Sequence, residues 1–286
     1  MKTQICHFSI GQYWLTAVFA ALLPLTAAAS EQRSGSGIVM VDIPAGSFVM
    51  GSCVPPRRLP ARMQAETPAC SPVDGEAYHT EGPPHQVEVA AFQLAKTPVT
   101  LKQFERFIRE KRRDDLLTPY FRQYNNRGGD APVIMVSWGD AQDFIAWLNE
   151  TDGPGWRLPS EAEWEYACRA GQRQRYCGSD DADAVAWHDG NSAGDQQPVR
   201  RKAANAWGLH DMSGNVWEWT QDCWHESHHG APSTATAWTQ ACSAPGKVIR
   251  GGSWGSPAGF SRASSRRQLV PDSMATEVGF RLARSR

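Results

Sequence analysis

The sequence predicts one α+β domain, irregular and low in regular secondary structure. Three observations carry that prediction. Strand-like alternation comes in short stretches such as IVMVDI and HQVEV. Three segments show an amphipathic helical stripe or a helix-capping signal. Beyond residue 171 clean periodicity fades, and the chain becomes loops studded with Trp, Gly, Asn and Asp. The twelve tryptophans point to packing by large rings rather than by long helices. At 286 residues the chain is long enough to bury a sizeable core. No internal repeat divides it. A formal charge of −1 gives no basic stripe for nucleic acid and no acidic solvating tail.

The elements follow in order. Lys2 gives a short positive start, and the apolar run WLTAVFAALLPLTAAAS ends in Ala27-Ala28-Ala29 before Ser30. Residues 1–29 therefore read as a signal peptide cleaved after Ala29. A membrane anchor is the alternative. Against it, the run is short, Pro24 interrupts it and no stop-transfer cluster follows. The expected location is the periplasm or outside the cell, with no membrane span after cleavage and no nucleic-acid partner. Residues 30–37, SEQRSGSG, read as a flexible leader, and 38–286 as the folded domain.

IVMVDIPAGSFVMGS reads as a strand, a turn at Pro44-Ala45-Gly46, and a second strand. Residues 52–84 are rich in Pro and Arg and read as a loop; HQVEVAAFQLAKTPVT restores alternation. After Thr100, Leu101, Phe104, Phe107 and Ile108 share one helical face, and Lys111-Arg112-Arg113 suit a solvated helix C-terminus. Ser137 caps a second helix with Ala141, Phe144, Ile145 and Leu148 inward. Ser160 and Glu163 form a capping box for a third, which Gly171 is placed to end.

Signal cleavage removes Cys6 and leaves six cysteines. An even number in an oxidising compartment favours disulfides. Spacing suggests the local pairs Cys53 with Cys70, Cys168 with Cys177, and Cys223 with Cys242. Each would add roughly 2–4 kcal/mol by closing a loop. A redox or copper thiol pair is the alternative.

Three segments taken together, WRLPSEAEWEYACRAG, NAWGLHDMSGNVWEWTQDCW and VIRGGSW…SRASSR…VGFRLAR, resemble the formylglycine-generating-enzyme or sulfatase-modifying-factor family. GSFVMGS, TPVTLKQFERFI and PVIMVSWGDAQDFIAWLN fall where that family has its earlier segments, so the resemblance covers residues 38 to 284. It implies a formylglycine-generating-enzyme fold, C-type-lectin-like, in a single domain.

In Asp211-Met-Ser-Gly214-Asn-Val216-Trp-Glu218 two carboxylates flank a glycine turn. Oxygen-only ligation of that kind suits calcium, and capping of backbone amides is the plain alternative. The resemblance implies one structural calcium site, with the Asp211 and Glu218 side chains and the Gly214 and Val216 carbonyls as ligands. Trp217 and Trp219 alternate as on a strand and read as core. His225, His228 and His229 in HESHH read as a solvated loop face rather than a metal site.

The family's enzyme carries two copper-binding cysteines shortly after its Gly-Gly-Ser. Here Ser256 and Ala258 stand at those places, and no cysteine follows Cys242. Soft thiolates suit Cu(I), which Ser and Ala cannot replace, so formylglycine synthesis by that route is not expected. The chain thus reads as a cysteine-lacking member of the family. Ser253, Trp254, Ser256, Arg262, Arg266 and Glu277 fall on segments that line the family's substrate groove. Arg266 would hold a carboxylate or carbonyl there, or else form an internal salt bridge with Asp272 or Glu277.

Among exported single-domain relatives the chain looks like those that mature the siderophore pyoverdine. That likeness implies oxidation of a dihydropyoverdine precursor, a peptide-derived siderophore precursor being the partner and the redox cofactor being unknown. The catalytic residues are not assigned; Glu277 with a hydroxyl or a histidine is one acid–base pair that could assist proton removal. Two other readings stay open. One is a non-catalytic, calcium-stabilised, lectin-like binding or activator module. The other is a periplasmic oxidase acting on a protein substrate, with copper at the His cluster.

Overall fold

The structure, a computed structural model, describes residues 30–67 and 69–285. The expected signal peptide at 1–29 lies outside the described residues. The leader does not behave as expected: Glu31–Arg33 is a strand, β1, paired antiparallel with β2, Val39–Ile43. The cause is local. Ser34 and Gly37 close a hairpin, with the Ser34 amide on Ile38 O at 2.9 Å and Gly37 at φ 84°. A left-handed residue at that place favours glycine.

The chain continues through β3 (Gly46–Met50), α1 (Ala61–Glu66), β4 (His85–Val89) and β5 (Phe92–Ala95). Helices α2 (Leu101–Lys111), α3 (Pro119–Tyr124) and α4 (Trp138–Thr151) come next. After β6 (Trp156–Arg157) and α5 (Glu161–Arg169) lie α6 (Ala182–Val185), β7 (Ala186–Trp187) and β8 (Ser213–Gly214). The C-terminal part supplies β9 (Trp217–Trp224), β10 (Ala244–Arg250), β11 (Arg266–Leu269), β12 (Val278–Phe280) and β13 (Ala283–Ser285).

The three anticipated helices start where their caps require. Thr100, Ser137 and Ser160 each accept the N3 amide in a capping box. Such a cap is worth about 1 kcal/mol. The phenylalanines of α2 and α4 meet as the stripes demand: Phe144 lies 5.6 Å from both Phe104 and Phe107 and 5.5 Å from Phe280.

A five-stranded sheet runs β1-β2-β5-β13-β6, so the last strand is seated between early ones and ties the chain's two halves together. A four-stranded sheet runs β11-β10-β9-β12, with β12 parallel to β9. Strand β9 is buried on both faces along nearly its whole length, with Trp217 and Trp219 on one face and Trp224 on the other. β3 pairs with β4, and β7 with β8.

Three disulfides join Cys53 to Cys70, Cys168 to Cys177 and Cys223 to Cys242, the pairs their spacing suggests. The description of the chain as a cysteine-lacking member is thereby corrected. All six cysteines of the described residues are present as cross-links between loops, and what Ser256 and Ala258 mark is a local substitution. Among the described residues, no helix is long and apolar enough to cross a membrane.

Candidate functional site

Strand β10 ends in Gly251-Gly252, both left-handed at φ 104° and 76°. A Cβ on Gly252 would sit 2.4 Å from the Ser261 hydroxyl, so only glycine lets the backbone turn here. The turn delivers Ser253, fully buried, then partly buried Trp254, and Ser256, also buried. Strand β12 brings Glu277 alongside: its carbonyl accepts the Trp217 amide at 2.8 Å.

Four groups then form a line. The Trp217 indole nitrogen donates to Ser256 Oγ at 3.2 Å, Ser256 Oγ lies 2.7 Å from Ser253 Oγ, and Ser253 donates to Glu277 Oε2. The ends fix its direction. Indole is a donor only, and a carboxylate is an acceptor only, so protons point from Trp217 through both serines to Glu277. Trp254 closes the edge by donating its indole proton to Thr276 O at 3.2 Å. A partly exposed carboxylate held by two donating hydroxyls can take a proton from a bound molecule on its open side.

The two arginines are turned inward. Arg262 is buried and clamps Glu81 with both nitrogens, at 2.8 and 2.6 Å, and reaches Asp74 at 2.7 Å. Arg266 grips Glu161 at 2.6 and 2.7 Å and lies over the Trp224 ring. Its ion-pair partner is therefore neither Asp272 nor Glu277. Burial pushes Glu161 up, but the Arg266 and Arg250 guanidiniums outweigh it and hold the carboxyl below its ordinary range. The Arg262 clamp also has a use. It fastens residues 74–81, which follow the Cys53–Cys70 cross-link, against the segment that follows Ser256, where Tyr78 stacks on Phe260 at 6.0 Å. A groove of about 790 Å³ lies against the same cross-link, bounded by β3 and the residues after α5; Ser253, Ser256 and Glu277 do not line it.

The loop from Asp211 to Glu218 is buried and sharply turned. Asp211, Gly214 and Asn215 have φ of 54°, 73° and 66°. A Cβ on Gly214 would fall 2.3 Å from Trp187 O. Asp211 accepts from the Arg200 amide at 2.8 Å and from Asn215 at 3.2 Å. Glu218 accepts Arg281 in a fork at 2.6 and 2.7 Å and the Trp164 indole at 2.7 Å. Burial pushes both carboxyls up, and each is only partly pulled back, chiefly by the Arg200 amide on Asp211 and by Arg281 on Glu218. Two buried carboxylates thus share one arginine. Their oxygens keep lone pairs of the hard kind that calcium takes.

The HESHH loop differs from expectation. His225 and His228 are buried, not solvated, because the Cys223–Cys242 cross-link holds the loop on the body. His225 stacks on Trp238, His228 meets His85 edge-on at 5.1 Å, and His229 bonds Thr67. The three rings diverge. Among the described residues, no group of three His, Cys, Asp or Glu side chains could hold a metal.

From the sequence Trp217 reads as a core residue without a role. Its indole donor was legible only once β9 was known to lie beside the Gly-Gly-Ser turn. Glu81, Glu161 and Glu165, which neutralise the buried arginines, carried no local signal.

These features have relatives. PvdO from Pseudomonas aeruginosa has a similar structure, with a TM-score of 0.73, 29% identity and coverage of 91% of this chain and 99% of that one. Treponema denticola variable protein 1 shares the fold at a TM-score of 0.70 and 23% identity. The inactive C-alpha-formylglycine-generating enzyme 2 of Bos taurus is 28% identical over 88% of this chain and 90% of its own length. The formylglycine-generating enzyme of Thermomonospora curvata is 28% identical over 89% and 95%. The model of the sulfatase-modifying factor enzyme 1-like domain matches residues 26–286. The chain belongs to the sulfatase-modifying factor family.

Proposed function

We propose that this protein is an exported, periplasmic maturation enzyme of siderophore biosynthesis that supports oxidation of a dihydropyoverdine chromophore precursor. The observation that carries the reading is the line Trp217–Ser256–Ser253–Glu277 in the turn where the family's thiol pair would stand. It offers proton transfer in place of thiolate chemistry. Likeness to PvdO along nearly the whole chain is its second support. Dehydrogenation removes two electrons and two protons from the ring. Glu277 takes one proton while the serines hold the carboxylate in place, and an external acceptor such as dioxygen takes the two electrons and the other proton, becoming hydrogen peroxide when the Glu277 proton is released to it. One structural calcium is held by Asp211, Gly214, Val216 and Glu218, offsetting their buried charge.

The test is conversion of the purified precursor to the fluorescent mature siderophore in air, with and without the protein. Equal rates in the two, together with a gene-deletion strain that still makes mature pyoverdine, would sink the reading. For calcium, metal analysis of the purified protein should find about one equivalent. EDTA should lower the melting temperature, and calcium should restore it.

A second reading is a non-catalytic module that binds the precursor or a protein. Similarity along most of its length to a relative named inactive favours it. Tight binding of the precursor without turnover, whatever acceptor is supplied, would select it.

A further inference from the structure

A cavity of about 350 Å³ opens beside β1, the end of β5 and the first turns of α2. Arg33, Lys96, Lys102, Arg106, Arg109 and Arg200 line it, and Asp130 is the only acidic residue among its described lining. The whole chain carries a formal charge of −1, so this excess is local. Neighbours neutralise part of it: Lys96 pairs with Glu31, and Arg106 with Glu110 at 2.7 Å. Lys102, Arg109 and Arg200 have no ion-pair partner among the described residues.

The sequence of α2 concentrates this charge. Lys102, Arg106 and Arg109 are spaced so that successive turns stack them on one face. Like charges one turn apart destabilise a helix. A second, independent feature lies in the same wall. Ser36 is 8% exposed, and its hydroxyl is buried without a hydrogen-bond partner. A buried donor left unmade is costly, and an acceptor oxygen in the cavity would satisfy it.

We propose that this cavity is a binding site for a small multivalent oxyanion, phosphate- or carboxylate-bearing. Guanidinium forks match both groups in a planar, bidentate way, Lys102 adds a point charge, and Ser36 adds a neutral donor. The volume suits a small molecule. The site shares no lining residue with the Ser253–Glu277 cluster and does not depend on the function proposed there.

Calorimetric titration of the mature chain in a low-salt buffer free of phosphate tests this, with inorganic pyrophosphate and citrate as probes. One saturable site is expected, weakening as sodium chloride is raised. The double substitution Lys102→Ala with Arg109→Ala should loosen it at least about tenfold, two lost charge-assisted contacts being worth that much. Both positions are exposed on a helix that tolerates alanine, so melting should be unchanged. Ser36→Ala should bind severalfold more weakly, and Arg173→Ala, an exposed cation lining a different groove, should bind as the parent does. Saturation by pyrophosphate alone assigns phosphate as the natural group, and by citrate alone a polycarboxylate. If neither probe saturates, or if the double variant binds like the parent, the proposal is overturned.

Discussion

Glu277 sits at the acceptor end of a line of hydrogen bonds whose other end, the Trp217 indole, can only donate. Replacing that carboxylate by an amide keeps its shape and removes its basicity. Glu277→Gln also presents a donor to Ser253, so the line must reverse or break. The expected outcome is a fall of about 10²–10⁴ in the rate of precursor oxidation, the usual worth of a positioned general base. Melting should hardly move, because the side chain is only partly buried. Initial rates beside a melting curve check this. A variant that oxidises at the parental rate would remove Glu277 from the chemistry. Ser253→Ala breaks the same line one step earlier and should lower the rate by less, since the carboxylate itself remains.

At the scale of the element, the buried arginines do most of the joining. Arg250 meets Glu165 at 2.5 Å, Arg262 meets Glu81, Arg266 meets Glu161, and Arg281 meets Glu218. Two of the pairs anchor the C-terminal part on α5, one on the segment before β4, and one joins Arg281 to β9. Helices α2, α4 and α5 were readable from the sequence because stripe, cap and stop are all local. The disulfide pairs were readable because their spacing is local too. The arginine partners were not. Glu161 is 105 residues from Arg266, and Glu81 is 181 from Arg262. A side chain expected in a groove can be spent in the core with nothing nearby in sequence to say so. Ser253 and Glu277 are 24 residues apart, and the hydrogen bond between them is a contact that no local pattern announces. Removing one partner of a buried pair strands the other charge, at a cost of about 3–5 kcal/mol. Arg262→Met should therefore destabilise the protein by that much and raise amide exchange across residues 70–84, while Arg262→Met with Glu81→Met recovers most of the loss. Hydrogen exchange resolved by peptide decides it. Unchanged protection of 70–84 in the single variant would mean the clamp does not hold that loop.

For the molecule as a whole, pH acts through buried groups of opposite sense. Burial, with the neighbouring Glu161 charge, pushes the Asp222 carboxyl up to about 7 from an ordinary 3.8, despite the amides of Trp238 and Glu161 that bond it. The folded state then keeps a proton that the unfolded chain has lost. That contribution to stability is complete below about pH 4 and disappears as pH rises through 7. His228 works the other way. It is fully buried, both ring nitrogens lack partners, and burial holds it well below 6.5, helped by Arg266, His85 and Arg250 and opposed by Glu165. The unfolded chain takes up a proton there as pH falls through 6.5, so folding loses stability on the acid side. His85, also lowered by burial, adds to that loss. Between about pH 4 and pH 6.5 the carboxyl and the histidines offset one another, and the parent should show a shallow pH dependence. His228→Leu removes one side of that balance and replaces an unsatisfied polar ring with an apolar group of similar size. It should match or exceed the parent at about pH 8. By about pH 5 its lead should have grown, because there the unfolded parent binds a proton that the buried ring refuses. Urea unfolding of both proteins at the two pH values measures the difference directly. A stability gap that does not change with pH would mean that His228 is protonated inside the fold and that its neighbours, Glu165 first, stabilise the charge.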